Sequence, residues 1–150
     1  MIALDTDVLI CAHRLETDLH SKAKDRLTEI AERGEPCAIP VFCLTEFIRV
    51  TTHRRVFHPP STLSQAIGFL KGILAAPTCH VALPGEGFFR LLESTLHRGD
   101  ARGNLAFDAQ IAALCQEHGI ERLLTNDRDF ERFGKLDIEW LDSSSTGRLR

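Results

Sequence analysis

Residues 2–10 read IALDTDVLI, and this stretch decides the fold. Ile2, Ala3 and Leu4 form a short apolar run that stops at an acid, Asp5, and a helical pattern follows. A strand without a polar face is one buried on both sides, as in a parallel sheet covered by helices. In such sheets, ligands bind beyond the carboxyl ends of the strands. Asp5 stands at such an end.

The chain then keeps alternating. His20 to Arg33 reads as an amphipathic helix with Ala23, Leu27, Ile30 and Ala31 on one side, and Gly34 stops it. Cys37 to Ile39 reads as a second strand, and Pro40 opens a helix from Val41 to about His53. Pro59 and Pro60 break the chain, and Ser61 is expected to cap a helix reaching about Ala75. A third strand spans Cys79 to Leu83, and Gly87 to His97 is helical. Asn104 is expected to cap a long helix ending near His118, with Gly119 as its stop. Arg122 to Thr125 and Ile138 to Leu141 are the last strands. Short apolar strands separated by longer helices predict an α/β domain with right-handed crossovers over residues 1–141. The polar, Ser-rich residues 142–150 are expected to form a flexible tail.

Composition narrows the function. A chain of 150 residues suits one domain with a core that needs no disulfide or structural metal. No window approaches the roughly 18 apolar residues of a membrane span. The N-terminus lacks the basic region of a signal peptide, so a cytoplasmic protein is expected. Cys11, Cys37, Cys43, Cys79 and Cys115 show no C-x-x-C pair and no zinc-like spacing, which predicts buried free thiols. The net charge of −3 argues against a broad non-specific DNA binder. It does not exclude a phosphate enzyme, because four clustered carboxylates alone contribute about −4 and a bound divalent cation would invert the local sign.

Four acids occupy places that should be apolar. Asp5 ends a buried strand, Glu46 lies in VFCLTEFIRV, Asp108 lies in NLAFDAQIAALC, and Asp127 follows RLLTN. Leu105, Ile111 and Ala112 share a helical face with Asp108, so that acid points with the buried side. Burying an unpaired carboxylate costs several kcal/mol, roughly, unless a base or a cation neutralises it. Three of them have a plain structural reading as well: Asp108 complements a helix dipole, Asp127 caps a turn before Phe130, and Glu46 pairs with Arg49 or with a base on a neighbouring strand. Acids converging at strand ends favour a hard cation, Mg²⁺ or Mn²⁺, which takes oxygen ligands. Asp7 is expected to cap or begin the first helix, and Asp129 to cap the turn or support the site through water. Arg49, His53, Arg54 and Arg55 form a basic run that reads either as RNA backbone contact or as a solvated helix end.

LDTDVLI, CLTEFIRV, the FDAQIAAL helix and LLTNDRDF together resemble the PIN-domain nucleases, and most nearly the VapC-type toxins of bacterial toxin–antitoxin systems. FIRVTTHRRVFHPPS resembles one bacterial branch of them, and the likeness runs from Ile2 to Leu141. The resemblance implies a PIN-like three-layer domain with a five-stranded parallel sheet in the order 3-2-1-4-5. It implies an Mg²⁺- or Mn²⁺-dependent endoribonuclease, a homodimer, and a VapB-type antitoxin as partner. Asp5, Glu46, Asp108 and Asp127 match the family's acidic quartet, and Thr6 and Thr125 match Ser/Thr positions beside it. Asp7 stands where the motif usually has Asn. The implied chemistry is phosphodiester hydrolysis by water activated at a cation.

Three other readings compete. Asp5-Thr6-Asp7 also resembles the opening of haloacid-dehalogenase phosphatases, with Asp5 as nucleophile, but Leu9 and the late Lys135 depart from that pattern. A non-enzymatic binding module would need a degenerate site, and all four acids are present. A processing nuclease without an antitoxin stays open. If an antitoxin exists, its apolar helix is expected in a groove between the helices that flank Pro59-Pro60.

Overall fold

The structure, a computed structural model, describes residues 1–143. Five strands form one parallel sheet: β1 (Ile2–Leu4), β2 (Cys37–Pro40), β3 (Cys79–Ala82), β4 (Arg122–Thr125) and β5 (Asp137–Trp140). Their order is β3-β2-β1-β4-β5, as the family resemblance implies. β1 is central, pairing Ile2 with Cys37 on one side and with Arg122 on the other. The chain leaves β1 toward β2 and returns to β4 on the opposite flank. The strand order therefore reverses beside β1, and a crevice opens there at the carboxyl ends.

Among the described residues, six helices cover the sheet: α1 (Thr6–His13), α2 (His20–Glu32), α3 (Val41–Thr51), α4 (Leu63–Leu74), α5 (Phe88–Gly99) and α6 (Leu105–Glu117). A 3-10 turn, Arg128–Phe133, joins β4 to β5. Ile2, Leu4, Ile39, Leu123 and Leu124 supply the strands' share of the core, and Leu9, Phe47, Ile111 and Leu114 supply the helices'. Phe47 stacks on Phe69 with centroids 5.3 Å apart, which ties α3 to α4. Gly99 ends α5 against the Phe133 ring, where an added Cβ would sit 2.6 Å from a ring carbon. Cys37, Cys43, Cys79 and Cys115 are buried, Cys11 is half-buried, and all five are free.

Several boundaries differ from the sequence reading for local reasons. Thr62, not Ser61, caps α4: its hydroxyl accepts from Gln65 N–H while the Gln65 side chain accepts from Thr62 N–H, a complete capping box. Ser61 is buried and engages His13 and Arg14 at 2.9 Å each. Asn104 makes no side-chain cap, because its own backbone is already helical (φ −63°, ψ −21°). β5 begins one residue early, since Asp137 N–H donates to Glu121 C=O at 2.8 Å. Gly34 and Gly119 end their helices at φ +65°, as expected. Asp142 is still tied down, by Lys22 at 2.7 Å and by Asn126, while the rest of the expected tail, 144–150, lies outside the described residues. Among the described residues, no helix is long and apolar enough to cross a membrane.

Candidate active site

β1 and β4 deliver their next residues into the crevice. Asp5 is the N-cap of α1: its Oδ1 accepts from Thr6 N–H at 2.8 Å. Its Oδ2 accepts from the Thr125 hydroxyl at 2.7 Å. Thr125 in turn accepts from Asp127 N–H at 3.0 Å, so one buried hydroxyl links the acids that follow β1 and β4. Thr6 Oγ1 donates to Glu46 Oε2 at 3.2 Å, which ties α3 to the same network. Asp7 lies in the first turn of α1 rather than at its cap, and its Oδ2 accepts from Asn126 N–H at 2.8 Å. Both Asp7 oxygens lie 3.4 Å from Thr125 Oγ1. The Thr125 hydroxyl has one proton, and the Asp5 bond uses it. This buried half of the site is therefore one positive charge or proton short.

The open half comes from α6 and the 3-10 turn. Asp127 caps that turn, accepting from Asp129 N–H at 2.9 Å. One carboxylate oxygen from each of Asp108, Asp127 and Asp129 lies within 4.8 Å of the others. Asp129 thus stands in the cluster itself, beside Asp108 and Asp127, and the cap of the turn is Asp127. What draws Asp127 and Asp129 together is the cap itself, in which Asp127 Oδ1 accepts from the Asp129 N–H. Glu46 forms no ion pair with Arg49 among the described residues, and its charge acts on both Asp5 and Asp108.

Crowding of like charge shows in the titration of the site. Burial pushes Asp5 well above the usual carboxylate range, and the charge of Asp7 adds to it. The bonds from Thr125 and Thr6 oppose the shift without cancelling it. Burial likewise raises Asp7, against the bond from Asn126. Asp108 is pushed up from 3.8 to about 7, first by burial and then by the charges of Asp127, Asp129 and Glu46, with Arg132 opposing. The site asks for a cation. Its donors are carboxylate oxygens, partly open to water, which fits Mg²⁺ or Mn²⁺. Burial pushes the nearby Cys43 thiol up as well, and its Sγ lies 3.9 Å from Asp5 Oδ1.

Asp5 is 5% exposed and both its oxygens accept hydrogen bonds, a poor arrangement for the nucleophile of a phosphatase. Of the basic run, Arg49 lies on α3 and lines a cavity of about 630 Å³ together with Glu46 and Asp108. His53, Arg54 and Arg55 follow α3 on the exposed surface and do not line it. A second, mostly apolar cavity of about 640 Å³ lies between α2 and α4 over α1, lined by Leu27, Ile30, Phe69 and Ile73 among others and by none of the site's acids. The expected groove on the α3 side of α4 is not where this apolar space lies.

Comparison with known proteins bears on the fold and the family. Residues 2–136 match the PIN domain family. The VapC ribonuclease Mb2897 of Mycobacterium bovis is 35% identical over 136 residues, covering 91% of this chain and 92% of the relative. Among solved structures, VapBC2 from Rickettsia felis, bound to a DNA fragment from its promoter, superposes with a TM-score of 0.68 at 20% identity, over 95% of this chain and 100% of that one. Mycobacterium tuberculosis VapC20, described as a toxin that cleaves the sarcin–ricin loop, gives 0.66 at 21% identity, over 89% and 95%. With a parallel five-stranded sheet in the order 3-2-1-4-5 and a match across nearly its whole length, the chain belongs to the PIN-domain family, among its VapC ribonucleases.

Proposed function

We propose that this chain is an Mg²⁺- or Mn²⁺-dependent endoribonuclease acting in the cytoplasm, the toxin of a VapBC-type pair. The observation that carries this reading is the convergence of Asp5, Asp7, Glu46, Asp108, Asp127 and Asp129 on the crevice beside β1, with Arg132 as the cation acting on Asp108. Asp108, Asp127 and Asp129 would hold the ion on the open side, with Asp5 and Glu46 completing the catalytic set. A divalent cation bound there would supply a water of lowered pKa and positive charge opposite the phosphate. The protein's own groups do the positioning. Thr125 and Thr6 orient the Asp5 and Glu46 carboxylates. Glu46 Oε1, free of hydrogen bonds among the described residues, accepts a proton from the attacking water.

The partner is a VapB-type antitoxin. The apolar space between α2 and α4 supports docking of an amphipathic helix. An antitoxin arginine can pair with two of the site's carboxylates and take the cation's place. Self-association as a homodimer accords with the exposed apolar surface of α5, where Phe89 is 73% exposed. Expression of the chain alone is expected to arrest growth, co-expression of its antitoxin to restore it, and the Asp5→Asn variant to be harmless. A chain that cleaves RNA in vitro yet never slows growth would replace the toxin reading with that of a processing nuclease.

A further inference from the structure

The cavity beside the acids has a second character that cation binding does not use. Phe42, Thr45, Glu46 and Arg49 line one wall from a single stripe of α3, and Asn104, Phe107, Asp108 and Gln110 face them from the start of α6. At about 630 Å³ it falls in the range of small-ligand sites. Phe107 is the residue before Asp108 and is 59% exposed, an aromatic face presented to solvent at the edge of an acidic centre. Phe42 is fixed opposite by Phe88, with ring centroids 5.6 Å apart. The side chains of Arg49, Asn104 and Gln110 have no hydrogen-bond or ion-pair partner among the described residues, so their donors and acceptors are available.

We propose that this cavity receives a nucleobase of the single-stranded RNA beside the scissile phosphate, stacked on Phe107 and read at its edge by Asn104 and Gln110. The inference rests on the nuclease reading and adds a specificity subsite to it. With the scissile phosphate at the cation beside Asp108, a second anion does not suit the space between Phe42 and Phe107. A neutral planar ring does, since its amino groups can donate to carboxylates and amide oxygens while its face meets an aromatic ring. Arg49, at the end of α3, then takes the phosphate that follows the base. Because every base has a π-face, stacking gives affinity, and the two amides set the preference.

The test uses the full chain in Ca²⁺ and short single-stranded oligoribonucleotides carrying 5-iodouridine, which photo-crosslinks to a stacked aromatic side chain. Crosslinked peptides are mapped by mass spectrometry, and affinity is read by fluorescence anisotropy for the wild type, Phe107→Ala and Phe107→Tyr. The expected results are a crosslink at Phe107, a loss of affinity of about tenfold or more in Phe107→Ala, and near wild-type affinity in Phe107→Tyr. Crosslinks confined to other peptides, or Phe107→Ala binding within about twofold of wild type, overturn the proposal. Sedimentation of the same variants covers the rival occupant. If Phe107→Ala dissociates the protein into smaller species while its RNA affinity stays at the wild-type value, the face is a contact between copies of this chain, and the subsite is refuted. The nuclease reading fails separately: a wild-type chain that crosslinks at Phe107 but cleaves no RNA keeps the subsite and loses the enzyme.

Discussion

Asp108→Asn should stabilise the metal-free protein, and only on the alkaline side. The carboxyl of Asp108 moves from 3.8 to about 7 on folding. A folded-state pKa above the unfolded one means that the fold prefers the protonated acid. The protein is relieved of this cost below about pH 4 and bears it in full once the pH has risen through 7. At 1.36 kcal/mol per pH unit, the interval sets an upper bound of about 4 kcal/mol. Asp108 is half-buried, so screening by solvent brings the realistic cost to about 2 kcal/mol. Asparagine keeps the shape and removes the charge. In EDTA at pH 8, calorimetry should find Tm of the variant raised by about 4–8 °C, given roughly 2–4 °C per kcal/mol for a chain of this size. At pH 4 the difference should vanish. Adding Mn²⁺ at pH 8 should reverse the ranking, because a ligand at a hundredfold excess over its Kd stabilises by about 2.7 kcal/mol and the variant has lost part of the site. A variant less stable than wild type at pH 8 in EDTA would refute the reasoning, since it would mean that the Asp108 carboxylate is stabilised in the fold.

Other expectations follow from single contacts. Thr125→Val removes the donor to Asp5 Oδ2 and the acceptor for Asp127 N–H, and should cost about 1–3 kcal/mol in urea unfolding, with Thr125→Ser restoring most of it. Gly99→Ala forces a Cβ to within 2.6 Å of the Phe133 ring and should cost about 1–3 kcal/mol, read as a lower urea midpoint at unchanged slope. Asp7→Asn should fold and keep RNA cleavage, because the side-chain oxygen of asparagine can still accept from Asn126 N–H while one of the crowded charges is removed. Loss of all cleavage in that variant would give Asp7 a part in the chemistry.

Much of this arrangement was legible in the sequence because burial leaves a compositional mark. Ile2–Leu4, Cys37–Ile39 and Arg122–Thr125 are short, apolar and separated by helical periods, and each is a strand of the sheet. Asp5, Glu46, Asp108 and Asp127 stood out because each interrupts apolar surroundings. The strand order came through the family resemblance, since pairing partners far apart in sequence leave no local signal. Geometry within a turn was not legible. The proximity of Asp129 to Asp108 depends on a 3-10 turn and on a helix some twenty residues earlier, and the bond from Asn126 to Asp7 spans 119 positions. The ion-pair network of Arg26 with Glu35 and Glu139, which Arg122 joins through Glu35, likewise links α2 to the ends of β2, β4 and β5, with no pattern to announce it. The Thr62–Gln65 capping box was visible as T-x-x-Q, but the adjacent Ser61 is an equally good cap by residue type.

The most direct test of the central claim is RNA cleavage by the purified chain, with Asp5→Asn and Asp108→Asn prepared alongside and shown by circular dichroism to be folded. The account predicts that cleavage is absent in EDTA, returns with Mg²⁺ or Mn²⁺ without any need for Zn²⁺, and is lost in both variants under every condition. Cleavage that persists in chelator, or that either variant retains at the wild-type rate, would contradict it.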